Sequence, residues 1–178
     1  MLPNKVLERP AAWSAKLKTF TMPHIDSMIV IRACMTRVYD FICRPHKFTR
    51  CSKHIVHVVP LGNKEHHWEI RVAGVTLGWN SVTTEQRRPK HLAWRSITGI
   101  ENSGSYALAQ TKRGTVVTFA MDYHLPSKML DGVAAPLLEP LIQAAVTDVL
   151  ECIKERLESD TEPDWSPSDD DGDCGETI

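Results

Sequence analysis

PLIQAAVTDVLECIKERLE, residues 140–158, is the stretch on which the fold turns. After Pro140 no glycine or proline interrupts it. Leu141, Ile142, Ala145, Val149, Ile153 and Leu157 recur at steps of one, three and four. That spacing gathers apolar side chains on one helical face. Asp148, Glu151, Lys154, Glu155 and Glu158 fall mostly on the other. Such a helix needs an apolar surface to cover, and residues 26–125 supply it, reading as short strands of alternating polar and apolar positions. Whether helix and sheet enclose a solid core or a pocket decides what kind of protein this is.

Working outward, the first strand spans Ser27–Ala33, with Ile29, Ile31 and Ala33 on one face. Thr36 is the expected N-cap of a short amphipathic helix carrying Val38, Tyr39, Phe41 and Ile42. Pro45 stops it, and residues 46–51 make a second short turn. Six strands follow in hairpin order: 54–61, 66–73, 75–85, 91–97, 105–110 and 115–125. Their breaks are Gly62-Asn63-Lys64-Glu65, Gly74, Arg87-Arg88-Pro89-Lys90, a loop from Gly99 to Gly104, and Thr111-Lys112-Arg113-Gly114. Sequential hairpins give an antiparallel sheet, and strands followed by a segregated helix give an α+β fold. Pro126 ends the last strand. Pro136 and Pro140 break the helical stretch, so a short piece at 127–135 and a main helix starting near Pro140 are expected.

At 178 residues, 42% hydrophobic and 24% charged, the chain suits one soluble domain. No apolar run reaches eighteen residues, so no membrane-spanning helix is expected. The N-terminus lacks the apolar stretch of an export signal, which makes the cytoplasm the default. Five cysteines (Cys34, Cys43, Cys51, Cys152 and Cys174) have no metal-type spacing and are expected as reduced thiols. The domain plan is an arm at 1–25, a body at 26–158 and a tail at 159–178. That tail carries eight acids and no lysine or arginine. It leaves 14 acids against 21 bases in residues 1–158, a charge of +7 beneath a net charge of −1. The tail's composition is that of a disordered segment. The basic body suits an acidic partner, although solvated surface charge is the plainer account.

Several function classes find no support. His54 and His57, and likewise His66 and His67, stand at odd separations that send their rings to opposite faces of a strand, so no metal site is expected. No Gly-x-Ser-x-Gly, phosphate loop or dinucleotide fingerprint occurs. No aromatic RNA-binding motif accompanies the basic charge, which argues against nucleic acid.

The order of pieces resembles the START-like helix-grip superfamily, and within it the polyketide cyclase/dehydrase family. The residues that carry this are Ile29-Val-Ile-Arg-Ala with Val38-Tyr-Asp-Phe-Ile; Phe48 and His54-Ile; His67-Trp68; and Gly78-Trp79. Leu92-Ala-Trp-Arg-Ser96, Asn102-Ser-Gly-Ser105, Arg113-Gly-Thr115 and Leu150…Ile153-Lys154…Leu157-Glu158 complete it. Cys34-Met35 departs from the family's usual Ala-Pro, and Thr49 stands where proline is frequent. The resemblance, over residues 26–158, implies a curved antiparallel sheet of about seven strands around the C-terminal helix, two short helices after strand one, and an apolar cavity between sheet and helix. Family cavities hold lipids, quinones, hormones or polyketide chains, and some members cyclise or dehydrate them.

Site residues follow from the resemblance and the strand faces together. Trp79, Ser81 and Thr83 share a face that points inward in aromatic polyketide cyclases, and Tyr106 stands at a cavity-lining position. Val117, Phe119, Met121 and Tyr123 form the more apolar face of the last strand, leaving Asp122 and His124 outside. Trp68, Ile70 and Val72 point in. Alternation leaves open whether Trp94 with Ser96, or Arg95 with Ile97, faces the cavity. Ser81, Thr83, Tyr106 and Tyr123 are the candidates for orienting carbonyls or relaying protons. Trp68, Trp79, Trp94, Phe119, Met121, Leu138 and Ile142 are the candidate ligand contacts. The expected activity is cofactor-independent cyclisation or dehydration of an apolar, oxygenated molecule, with a polyketide on an acyl carrier protein as one candidate; a homodimer is left open. The rival is a non-catalytic lipid or quinone carrier, and a third reading makes the acidic tail a partner contact. Gly132 and the flanking prolines mark 127–139 as a gate at the cavity mouth.

Overall fold

The structure is a computed structural model that describes residues 23–72, 74–125 and 135–159, with backbone alone for 135–138. Seven strands form one antiparallel sheet: β1 (His24–Ile31), β2 (Ile55–Gly62), β3 (Glu65–Val72), β4 (Val75–Arg87), β5 (His91–Gly99), β6 (Glu101–Thr111) and β7 (Gly114–His124). Their order is β1-β7-β6-β5-β4-β3-β2. Thus β2 to β7 is an uninterrupted meander, and β1 closes it by pairing with β7 from Ile31 opposite Thr115 to His24 opposite Asp122. Between β1 and β2 lie α1 (Met35–Ile42) and a 3₁₀ helix (Pro45–Arg50), and the curved sheet wraps α2 (Ala135–Ser159). This is the helix-grip arrangement that the resemblance implied.

Four local readings are corrected. Helix α1 begins at Met35 after Cys34, which makes no side-chain cap, so Thr36 is inside the helix. The loop expected from Gly99 to Gly104 is a tight turn, since β6 already begins at Glu101. Gly99 makes it possible: its φ is +80°, and an added Cβ would run into the Gly78 carbonyl and the Trp79 backbone. Helix α2 starts at Ala135 and carries Pro140 within it. A proline there forfeits one backbone bond, a loss that burial of Ile142, Val149, Ile153 and Leu157 outweighs. Fourth, Cys51 and Cys152 form a disulfide across 101 residues, so these two are not reduced thiols; Cys34 and Cys43 take no part in a disulfide. The pairing arises because the end of the 3₁₀ helix lies on α2, where the Ser52 hydroxyl also donates to Asp148 at 3.0 Å. The expected arm lies outside the described residues up to 22, as does the tail beyond 159.

Packing is densest at one end. Ile31, Val38, Val117 and Ile153 are fully buried. The buried Thr115 hydroxyl donates to the Ala33 carbonyl at 2.8 Å. The Arg32 backbone N–H donates to the Glu158 carboxylate at 2.8 Å, pinning the C-terminal end of α2 to the end of β1. At the other end, helix and sheet stand apart.

Candidate functional site

Between the middle turns of α2, from Ile142 to Val149, and the middle of the sheet lies a cavity of about 350 Å³. Its floor is built in rungs on β3 and β4, where cross-strand partners share the inward face. Trp68 is opposite Trp79 and His66 opposite Ser81, while Lys64 meets Thr83 through a 3.0 Å backbone bond. The Trp68 and Trp79 rings stack 5.7 Å apart and nearly parallel. The Trp68 indole N–H donates to Ser81 Oγ at 3.0 Å. Strands β5 to β7 add Trp94, Tyr106 and Phe119, a cluster with ring centroids 5.1 to 5.7 Å apart. Gly104 lets Trp94 lie flat on β6, because a Cβ there would come within 2.5 Å of the indole. Helix α2 contributes Ile142, Ala145, Val146 and Val149, and Ile42, Cys43, Pro45 and Phe48 close the side.

The sequence-derived candidates separate cleanly. Ser81, Thr83, Tyr106, Trp68, Trp79, Trp94, Phe119, Met121 and Ile142 line the cavity together. The lining does not include Tyr123, which is buried beside it on β7 opposite Asn102. Leu138 falls where side chains are not described, and the proposed gate at 127–139 lies mostly outside the described residues. The open choice on β5 resolves toward Trp94, while Arg95 is exposed. Asp122 is indeed outside, accepting from His24 Nδ1 at 2.8 Å.

Among the lining residues outside the sequence-derived candidates, four carry polar nitrogen-bearing side chains: Lys64, His66, Gln86 and Asn102. His66 was weighed only as a metal ligand with His67, although its inward parity was legible; His67 faces the other way and bonds Asn80 at 2.7 Å. Lys64 was assigned to a turn. Asn102 lies in the segment read as a loop. Gln86 is invisible to alternation, because a bulge between Thr83 and Glu85 shifts the parity of β4 and turns Gln86 inward, opposite Leu92.

Hydrogen bonding decides which polar groups are available. Asn102 is spent: its carbonyl accepts from Trp94 Nε1 at 3.2 Å and its amide donates to the Ile100 carbonyl at 2.9 Å. Ser81 accepts from Trp68, which leaves its own O–H to donate. Among the described residues the Tyr106 hydroxyl has no partner, and burial raises its pKa far above the ordinary range, so it stays a neutral donor. Burial likewise pushes the Cys43 thiol up, away from nucleophilic thiolate. Burial, aided by nearby His46, lowers His66, so its imidazole is a neutral base at pH 7. Among the described residues the lining contains no carboxylate. Among the described residues no group of His, Cys, Asp and Glu could hold a metal ion, and no helix is long and apolar enough to cross a membrane.

A helix-gripping sheet around an internal, aromatic-walled cavity defines a small-molecule-binding class of protein. The chain belongs to the polyketide cyclase/dehydrase and lipid transport family, whose pattern matches residues 31–150. No curated protein matches significantly. Among solved structures, a Thermus thermophilus protein is similar with a TM-score of 0.69 at 18% identity, over 79% of this chain and 100% of its own. A START superfamily protein of Mycobacterium smegmatis gives 0.62 at 10%, over 76% and 97%. The Zhui aromatase/cyclase of Streptomyces gives 0.61 at 16%, over 79% and 96%. At these identities the likeness concerns the fold.

Proposed function

We propose that the cavity binds an apolar molecule bearing several carbonyl groups and promotes its cyclisation and dehydration without a cofactor. The observation that carries this reading is the pair of uncommitted donors, Ser81 and Tyr106, on different strands of a mostly apolar chamber. A ketone oxygen that accepts from them gains negative charge when the adjacent C–H is lost, and fixed donors stabilise that charge best where water is excluded. His66 is the lining base suited to take the proton. The enolate carbon then attacks a second carbonyl of the same chain, forming the ring C–C bond. The new alkoxide recovers the proton from the imidazolium. Loss of a further C–H proton and of the hydroxyl as water leaves the double bond. The stacked Trp68–Trp79 pair and the Trp94–Tyr106–Phe119 cluster hold the chain folded, which lowers the entropic part of the barrier. Thr83 and Met121 shape the chamber, and the +7 charge of residues 1–158 suits delivery of the substrate on an acidic carrier protein.

The test is turnover of a short poly-β-ketone thioester, followed by mass spectrometry for loss of water. The protein should accelerate ring closure, and Tyr106→Phe should slow it by about 100-fold while binding persists. Cyclisation at the uncatalysed rate would leave the second reading, a lipid or quinone carrier. That reading is favoured by the apolar run Phe48, Ile55, Ile70, Leu92, Val146 and Val149 along the walls. A phospholipid or quinone retained through purification and seen by native mass spectrometry would support it.

A further inference from the structure

We propose that the mouth of the cavity reads a negative charge: Lys64, with Thr83 and Gln86, binds the anionic head of an amphiphilic ligand whose apolar body lies beyond His66. This rests on the reading that the cavity holds a small molecule, and it narrows that molecule to a class.

Among the lining residues, Lys64 and Gln86 are exposed, so the chamber meets solvent at the β2–β3 turn and the far end of β4. From there polarity falls stepwise along the rungs: Lys64 and Thr83, then His66 and Ser81, then Trp68 and Trp79. A ligand lying along them needs a polar end outward and an apolar end inward. Among the described residues no hydrogen bond or ion pair engages the side chains of Lys64, Thr83 or Gln86. Two arginines that follow Gln86 are engaged: Arg87 with Glu85, and Arg88 with Asp40 at 3.0 Å. Lys47 lies over the Phe41 ring, and His46 and His66 are further bases rather than acids. Among the described residues the cavity therefore presents a cation and no lining carboxylate to balance it.

A second observation concerns the turn itself. Gly62 pairs with Glu65, so Asn63 and Lys64 form a two-residue hairpin loop with φ of 49° and 63°. Glycine is the unstrained choice at the second of these positions, and asparagine suits the first. A lysine held in left-handed backbone costs stability, and such strain concentrates at ligand sites. It places the ammonium-bearing side chain at the entrance.

Two probes with one apolar chain separate charge from burial: dodecanoate and dodecanol, titrated against the full chain by quenching of the lining tryptophans. Dodecanoate should bind roughly fivefold tighter, an advantage that shrinks in high salt. Lys64→Gly and Lys64→Met should each bring the two probes within about twofold, leaving dodecanol affinity unchanged. Lys64→Gly should also raise the thermal midpoint, because it relieves the turn as it removes the charge. Equal affinities in the parent protein, or an undiminished preference in Lys64→Met, would overturn the anionic head while leaving the cavity reading standing. Failure of both probes to bind would instead overturn the cavity reading, and this inference with it.

Discussion

The two halves of α2 have the same amphipathic pattern and meet different fates. From Ile142 to Val149 the apolar face looks into open space bounded by the sheet. From Leu150 to Leu157 it is packed solid, with Ile153 fully buried among the side chains of β1 and α1. The boundary is marked by Cys152, bonded to Cys51, and by Asp148, which accepts from Ser52. One half holds the domain together and the other covers a chamber. A protein can keep a cavity of this size because the cost of poor packing is confined to half of one helix.

The comparison breaks most readily at Ile153. Ile153→Ala should cost about 2–5 kcal/mol, since it opens a void in close-packed surroundings. Val149→Ala should cost under about 1.5 kcal/mol because its neighbours already border space. Denaturant unfolding of both variants checks the contrast, and equal losses would make the two halves one core. Next in size is the disulfide at the boundary. Replacing Cys51 and Cys152 by serine should cost about 2–4 kcal/mol, since the bridge closes a long loop in the unfolded chain. Parent protein with and without reductant, compared with the double variant, tests this; a midpoint insensitive to both would remove the tether.

The smallest expected effect is one of pH. The proposed base, His66, titrates below the ordinary 6.5 because burial penalises its charged form. Turnover should therefore climb with pH through a value under about 6.5 and level off by neutrality. Tyr106 stays protonated as a donor throughout that range. Stability follows the same sign: the His66 contribution is complete above about 6.5 and is lost as pH falls through its lowered folded value. NMR titration of the imidazole would settle the point, a value above 6.5 refuting it.

Much of the site was legible because strand periodicity is a local property. The inward parity of Trp68, Trp79, Ser81, Thr83, Phe119 and Met121 can be counted along the chain, and the resemblance told which face was the inside. Tyr123 obeys the same parity yet stays clear of the lining, because parity selects a face and not a height along the strand. Gln86 defeated the count at a bulge, and Asn102 was hidden by a turn tighter than its glycines advertised. The disulfide joins residues 101 apart, which no local spacing could indicate.

By itself the sequence determined most of the elements, their order and the sorting of strand residues onto two faces, since alternation and helical spacing act over a few neighbouring residues. Only the tertiary structure decided that the first half of α2 borders a chamber and the second a core. It also decided that Asn102 is spent while Ser81 and Tyr106 retain free O–H groups, and that Lys64 stands at the entrance. These follow from which strands become neighbours and where a bulge or turn shifts the register, because hydrogen bonds and cavities belong to pairs of segments far apart in the chain.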